Sequence, residues 1–228
     1  MKKAYFSWSS GKDSALALYE AIESGKYKVE TLFSAVEKNN DNIAMHETGA
    51  DLLKKQAEAI GIPLTLLHFD SSWTEESYSA AMQVSIDKLN ARGITTALFG
   101  DIYLENIKNK RVASCAAAGI DAEFPLWKIK PREIMERFIS LGFKAIITCV
   151  DNAVLPEKFL GKALDRDFLK EYPDNLDICG ENGEYHSFVY DGPVFRYPLE
   201  FTIKRRFYRE YEENESAGPH RYCYLELI

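Results

Sequence analysis

Short apolar runs alternate with longer amphipathic segments over roughly the first 130 residues of the chain. A short apolar run predicts a buried strand, and apolar residues that recur every three or four positions predict a helix. Each of four predicted strands is followed by a predicted helix. The strands are the segment from Tyr5 to Trp8, the run from Val29 to Val36, LTLLHF at 64–69 and TTALFGDI at 95–102.

The helices that follow these strands carry recognisable end signals. Ala15, Leu18 and Ile22 give the first helix its apolar face. The second helix (48–61) ends at Gly61, and the third (74–93) has Thr74 and Ser77 as N-cap candidates. The fourth covers 104–119. Strands alternating with helices of this length predict an α/β fold with a doubly wound parallel sheet, whose ligands bind beyond the carboxyl ends of the strands.

The pattern changes after residue 129. One more helix and strand (131–150) precede short helices (155–173), a glycine-rich loop (179–193) and two strand-like runs (197–211 and 221–228) joined by a hairpin loop. We therefore predict two domains, with residues 1–129 forming the α/β domain and residues 130–228 forming a smaller α+β domain.

Composition narrows the class of protein. The 228-residue chain has a net charge of −7, which argues against a broad nucleic-acid surface. It begins Met1-Lys2-Lys3 without an apolar leader and has no stretch of about 18 apolar residues, so we expect a cytoplasmic protein without membrane association. The cysteines are scattered and predicted to be reduced and mostly buried; they are Cys115, Cys149, Cys179 and Cys223.

The segment SWSSGKDS at 7–14 joins the first strand to the first helix. Unpaired N–H groups and the positive end of the helix dipole meet at such a junction, and Lys12 adds a full positive charge. This arrangement predicts an anion site. It is not a Walker A loop, because Phe6 stands at the position of its first glycine and Asp13 at that of its Ser or Thr. A solvated helix N-cap is the simpler alternative.

The same segment resembles the PP-loop, S-G-G-K-D-S, of the N-type ATP pyrophosphatases, which cleave ATP between its α and β phosphates. Five of the six positions agree, and Ser10 replaces a glycine. The chain also contains GDIYLENIKNKR, PLW, LGKALD and CGENGEYHSFVYDGPVF. With these segments, nearly the whole chain resembles the diphthine–ammonia ligase family.

This resemblance implies an adenine nucleotide α hydrolase-like fold and an enzyme that forms an amide from a carboxylate and ammonia. ATP and Mg²⁺ would be co-substrates, and the carboxylate would be activated as an acyl-adenylate with release of pyrophosphate. In the eponymous members the carboxylate belongs to diphthine, a modified histidine of elongation factor 2. Ser10, together with Asn106, Lys108 and Ser187, departs from the usual family pattern. The acceptor is therefore left open between a diphthine-like group on a protein and a small molecule, and a homodimer is left open as the assembly.

The resemblance also implies residue roles. The phosphates would lie over the residues from Ser9 to Ser14, with Lys12 stabilising the charge of the leaving pyrophosphate. Asp13 and Asp101 would bind the metal or the ribose side, and Gly100 would leave room for the ligand. His46 would lie over the nucleotide, although a surface histidine at a helix start is an equal alternative.

The glycine-rich loop places three acid–base groups close together, namely Glu181, Glu184 and His186. In one interpretation a glutamate binds ammonium and removes its proton while His186 orients the substrate. In the other, both glutamates cap turns and the histidine is structural.

Two other classes of protein contain a loop like that at Ser9 to Ser14. An RNA sulfurtransferase usually has paired cysteines and a basic surface, and this sequence has neither. A non-catalytic nucleotide-binding protein would leave the acid–base groups of the second domain without a role.

Overall fold

A computed structural model describes residues 1–39, 42–43, 48–211 and 220–228. Its first part contains five strands and four helices. In chain order they are β1 (Lys2–Ser7), α1 (Lys12–Glu23), β2 (Tyr27–Glu37), α2 (Ala50–Ile60), β3 (Leu64–Phe69), α3 (Glu75–Ala91), β4 (Thr96–Leu98), α4 (Glu105–Ala117) and β5 (Asp121–Glu123).

These strands form a parallel sheet in the order β3-β2-β1-β4-β5. The chain runs outward from β1 through β2 to β3, then returns to the other side of β1 for β4 and β5. The topological switch therefore lies between β1 and β4, where Phe6 pairs with Leu98. The predicted doubly wound fold is confirmed, and both SWSSGKDS and the Gly100 segment leave the sheet at this point.

The second part of the chain forms an antiparallel sheet in the order β7-β6-β9-β8. Its elements are α5 (Pro131–Ser140), β6 (Lys144–Asp151), a short 3₁₀ helix (Glu157–Phe159), α6 (Phe168–Glu171), β7 (Tyr185–Asp191), β8 (Ile203–Tyr211) and β9 (His220–Leu227). The smaller α+β unit expected from the sequence is thus present, and the predicted short helices are confirmed.

Local sequence signals explain several helix ends. Thr74 accepts a hydrogen bond from the Ser77 amide at the start of α3, as an N-cap residue does. Gly61 ends α2 with a φ of 81°, which glycine adopts without strain.

Three predictions differ from the structure. The segment that follows Gly183 was predicted to be loop, but Tyr185–Asp191 is strand β7, because it pairs with β6 and buries Tyr185 and Phe188. The strand-like run from 197 begins only at Ile203. Strand β5 was not predicted, since three residues are too few to show a period. The predicted hairpin partners β8 and β9 do pair, while their connecting loop lies outside the described residues.

The two sheets share one hydrophobic core. Phe6 and Leu16 of the first part belong to the same buried cluster as Phe138, Ile147 and Phe188 of the second. A division at residues 129 and 130 stays a prediction, because packing is continuous across it. This continuity holds β7 against the loop between β1 and α1.

Candidate functional site

The turn between β1 and α1 is bent sharply at Ser10. Its φ is 72°, in the left-handed region where a side chain is strained and glycine is favoured, which gives a physical reason for glycine in the usual motif. The Ser10 hydroxyl is fully buried and lies 2.9 Å from the Thr48 hydroxyl. Its side chain is therefore used within the protein, and any contact of Ser10 with a ligand would come from its backbone.

Hydroxyl groups line the inside of the same turn. The Oγ atoms of Ser9 and Ser14 are 2.7 Å apart, and the Ser9 amide donates to Ser14 Oγ at 3.2 Å. Gly11 is the N-cap of α1 and contributes no side-chain cap, so this end of the helix keeps its positive character. The turn therefore offers hydroxyls and a helix N-terminus to an anion.

Gly100 lies directly against this helix N-terminus. A Cβ atom at position 100 would come within 3.0 Å of Asp13 C and Ser14 N, which are backbone atoms that cannot move aside. Glycine is required here for β4 to approach α1. That close approach brings the neighbouring Asp101 to the pocket.

Lys12 and Asp13 form a buried ion pair. Lys12 is only 4% exposed, and its ammonium donates to Asp13 Oδ2 at 2.8 Å and also to the Cys179 carbonyl. It lies 5.0 Å from the centre of the Tyr185 ring. Burial alone lowers the pKa of Lys12, but the Asp13 carboxylate beside it holds that pKa well above its ordinary value. Lys12 is consequently a permanent cation in the pocket.

A second cation, Arg111 of α4, reaches the pocket from the other side. Its Nε lies 2.7 Å from Asp101 Oδ2, and its guanidinium lies 4.6 Å from the centre of the Phe99 ring. Arg111 is not among the site residues predicted from the sequence. Cys115 of α4 belongs to the same buried cluster as Phe99, and this packing places Arg111 at the cavity.

Strand β7 covers the turn and makes the site a joint product of both sheets. Val189 N donates to Ser10 O at 3.0 Å, and Lys12 N donates to Ser187 Oγ at 3.2 Å. The buried Gln56 side chain links Ser10 O and Val189 O through its Nε2. The turn is therefore fixed from the side of the second sheet.

The loop between Asp177 and Glu184 completes the pocket. Gly180 and Gly183 have φ values of 71° and 91°, and a Cβ at Gly180 would meet the Tyr185 ring at 2.9 Å. Glu181 points into the pocket. Burial, together with the charge of Asp13, raises the pKa of Glu181 to about 8. A carboxyl group in this environment is suited to exchanging protons near neutral pH.

Glu184 has a different environment. It is 3% exposed, and its carboxylate accepts hydrogen bonds from Asp177 N at 3.2 Å, Asn182 N at 3.0 Å and Asn182 Nδ2 at 3.1 Å. These bonds hold the loop together, and the carboxylate does not line the pocket. The structure thus separates the two glutamates that the sequence placed together, and the turn-capping interpretation describes Glu184.

Most of the predicted site residues surround one cavity of about 230 Å³. Nine of the twelve line it, namely Ser9, Gly11, Lys12, Asp13, Ser14, Gly100, Asp101, Glu181 and His186. Ser10 lies behind the turn, Glu184 lies within its own loop, and His46 lies outside the described residues. Ser7, Arg111, Tyr185 and Ser187 line the cavity as well and were not predicted.

A larger, mostly apolar cavity of about 360 Å³ opens beside the first. It lies between the sheet and helices α3 and α4, and its wall includes Phe33, Tyr78 and Phe99. Ser7 and Arg111 line both cavities. The two spaces are therefore adjacent, one polar and one largely aromatic.

The polar cavity fits Mg²⁺ in the way that nucleotide enzymes hold it. Asp13 Oδ1 is buried and accepts no hydrogen bond from another described residue, and Asp101 lies across the same cavity. Within the described ranges, no three His, Cys, Asp or Glu side chains form a metal cage. One or two carboxylates with substrate phosphates and water is the usual arrangement for Mg²⁺.

None of the four cysteines forms a disulfide, and all four are buried, as predicted. Cys179 lies at the cavity wall, but its Sγ donates to Pro131 O at 3.3 Å, and burial raises the pKa of the thiol well above its ordinary range. Such a thiol is a poor nucleophile. No described helix is long and apolar enough to cross a membrane.

Two family models match the chain. The model described as diphthamide synthase N-terminal domain matches residues 1–122, and that described as diphthamide synthase C-terminal domain matches residues 130–216. Among curated proteins, the chain is 26% identical to diphthine–ammonia ligase of Danio rerio, covering 82% of each chain. It is 25% identical to diphthine–ammonia ligase of Homo sapiens, over 82% of this chain and 78% of the human protein.

A third relative, diphthine–ammonia ligase of Schizosaccharomyces pombe, is 24% identical over 96% of this chain, which spans only 38% of that longer protein. All three relatives carry the name of a ligase, and the two family models together cover most of both sheets. The chain therefore belongs to the diphthamide synthase family.

Proposed function

We propose that this protein is an ATP-dependent amide ligase that activates a carboxylate as an acyl-adenylate and transfers the acyl group to ammonia. One observation supports this most directly. Lys12, at the start of the helix that follows β1, and Glu181, in the loop before β7, line the same cavity. Family membership and the ligase names of the relatives support the reaction class.

In the first half-reaction, an oxygen of the acceptor carboxylate attacks the α-phosphorus of ATP, and pyrophosphate leaves. We place the β and γ phosphates over the turn from Ser9 to Ser14, where hydroxyls, the α1 N-terminus and the Lys12 ammonium would stabilise the leaving charge. Asp13 and Asp101 would hold Mg²⁺, which supplies further neutralisation of phosphate charge.

The adjacent apolar cavity is the natural place for the adenine base. A heterocycle would lie among aromatic side chains such as Tyr78 and Phe33, while Arg111 at the junction would face the α-phosphate. This arrangement would leave the space beside Glu181 for the acceptor carboxylate. Tyr78→Ala should then weaken ATP binding while leaving binding of inorganic pyrophosphate unchanged, as measured by calorimetry.

In the second half-reaction, ammonium would bind beside the ionised Glu181 carboxylate and transfer one proton to it. The resulting ammonia attacks the acyl carbon, AMP leaves, and the nitrogen releases one further proton to solvent, which gives the amide. The position of Glu181 in the cavity and its pKa of about 8 support its role as the base. His186 is proposed to orient the acceptor, because it lines the same cavity.

The test separates the two half-reactions. Glu181→Gln should preserve exchange of labelled pyrophosphate into ATP in the presence of elongation factor 2 carrying diphthine, and should lower amide formation by about 10²–10⁴-fold. Equal loss of both half-reactions would instead place Glu181 in nucleotide or metal binding. If the diphthine protein supports no exchange at all, the acceptor is a different carboxylate.

A further inference from the structure

One hydrogen bond connects the segment that follows β4 to the loop that carries Glu181. Tyr103 donates its hydroxyl proton to Asp177 Oδ2 at 2.9 Å. Tyr103 follows β4 of the first sheet, whereas Asp177 lies in the loop before β7. The bond therefore crosses between the two parts of the pocket wall.

Asp177 is the centre of this connection. Its Oδ2 also accepts the Glu181 amide at 2.9 Å, and its Oδ1 accepts the Cys179 amide at 3.1 Å. A carboxylate that accepts two amides of the residues after it forms a local turn. The bond from Tyr103 then ties that turn to the opposite wall of the cavity.

We propose that Tyr103 and Asp177 are positioning residues that hold the Glu181 carboxylate in the cavity by fixing its loop to the segment after β4. The role in amide transfer rests on the function proposed above. The alternative is that Asp177 only shapes its own loop and that the bond from Tyr103 has no effect on Glu181.

The geometry favours positioning because two hydrogen bonds meet at one oxygen atom. Asp177 Oδ2 accepts both the Tyr103 hydroxyl and the Glu181 backbone amide. The bond that anchors the loop therefore ends on the same atom that holds the backbone of Glu181.

Tyr172 provides a matched control. Its hydroxyl donates to Asp177 O at 2.9 Å, so Tyr172→Phe removes a hydroxyl contact to the same residue from within the second part of the chain. The Gly180 amide also donates to that carbonyl at 2.9 Å, so the control leaves it paired. Both variants delete a hydroxyl that donates to Asp177, but only Tyr103→Phe breaks the link between the two walls of the cavity.

Tyr103→Phe should lower amide formation about tenfold, the effect expected from losing a hydrogen bond to a charged group, while pyrophosphate exchange stays within about twofold. Tyr172→Phe should change neither rate by more than about twofold. In a Glu181→Gln protein, Tyr103→Phe should not lower amide formation further. A residue that acts only through Glu181 has no effect once the Glu181 carboxylate is gone. Additive losses, or equal effects of the two tyrosine variants, would overturn the proposal.

Amide hydrogen exchange of the free protein tests the same claim without any substrate. The Glu181 and Cys179 amides should exchange faster in Tyr103→Phe than in Tyr172→Phe, since the Asp177 carboxylate that protects them loses its anchor. Unchanged protection in Tyr103→Phe would refute the positioning role. If Glu181→Gln keeps full amide formation, the proposed role of Glu181 as the base fails, while the exchange measurement still decides the anchoring of the loop.

Discussion

Glu184→Gln distinguishes a residue that builds the loop from one that performs chemistry. Glu184 Oε1 accepts two hydrogen bonds and Oε2 accepts one, from Asn182 N. A glutamine can keep the carbonyl oxygen at one position, but its NH₂ group must then face an N–H donor at the other. The substitution therefore leaves at least one donor of this loop without its acceptor.

The cost follows from that unmatched donor. A partly buried N–H that loses its acceptor costs about 1–3 kcal/mol, and the solvent-exposed side of Asn182 favours the lower part of that range, about 1–2 kcal/mol. For a chain of this length, that corresponds to a fall of about 3–6 °C in Tm. ATP binding should be unchanged, because Glu184 does not line the polar cavity.

Thermal unfolding followed by circular dichroism, with calorimetric titration of ATP and Mg²⁺, provides the assay. Glu181→Gln is the control, since it makes the same change three residues away, in the cavity, and it should not lower the Tm at pH 7. A Glu184→Gln protein with an unchanged Tm and amide formation reduced 10²-fold or more would refute the reasoning and restore Glu184 as the base.

Three further results are expected. Lys12→Met should lower ATP affinity about 100-fold in calorimetry, because it removes the buried cation beside the turn, and unchanged affinity would remove the phosphates from this loop. The pKa of Glu181 is about 8 in the folded state, above its ordinary 4.5, so folding stability should fall as pH rises between these two values. Glu181→Gln should lose that part of the pH dependence, which Tm measurements across this pH range would show. Gly100→Ala should weaken ATP binding at least tenfold, since its Cβ would press on Asp13 and Ser14 backbone atoms at 3.0 Å, and wild-type affinity would show that the helix start is free to move.

The fold and the phosphate-type turn were predictable because they depend on local patterns. Alternating apolar runs and helical periods gave the parallel sheet, and the position of Gly11 and Lys12 after β1 gave the turn. The positive φ of Ser10 was not predicted, because a serine can adopt either sign of φ at a position where related sequences have glycine, and only the structure shows which. Strand β5 was missed because its pairing with β4, and not its own sequence, makes it a strand.

The different roles of Glu181 and Glu184 could not be read from their spacing. Both follow glycines with positive φ, and only the three-dimensional course of the loop sends one carboxylate into the cavity and the other to the amides of its own turn. Asp177 did carry a local signal, since an aspartate two residues before Cys179 can accept its amide in a turn. Arg111 carried none, because its contact with Asp101 depends on how α4 packs.

Transfer of ¹⁸O from the acceptor carboxylate tests the proposed acyl-adenylate most directly. The enzyme would be turned over with ATP, Mg²⁺, ammonia and an acceptor whose carboxylate is labelled with ¹⁸O, using elongation factor 2 carrying labelled diphthine. Because the carboxylate oxygen that attacks the α-phosphorus stays on it when the acyl group leaves, we predict one ¹⁸O atom in the AMP and none in the pyrophosphate. ADP as the nucleotide product, with ¹⁸O in inorganic phosphate, would contradict the adenylate mechanism.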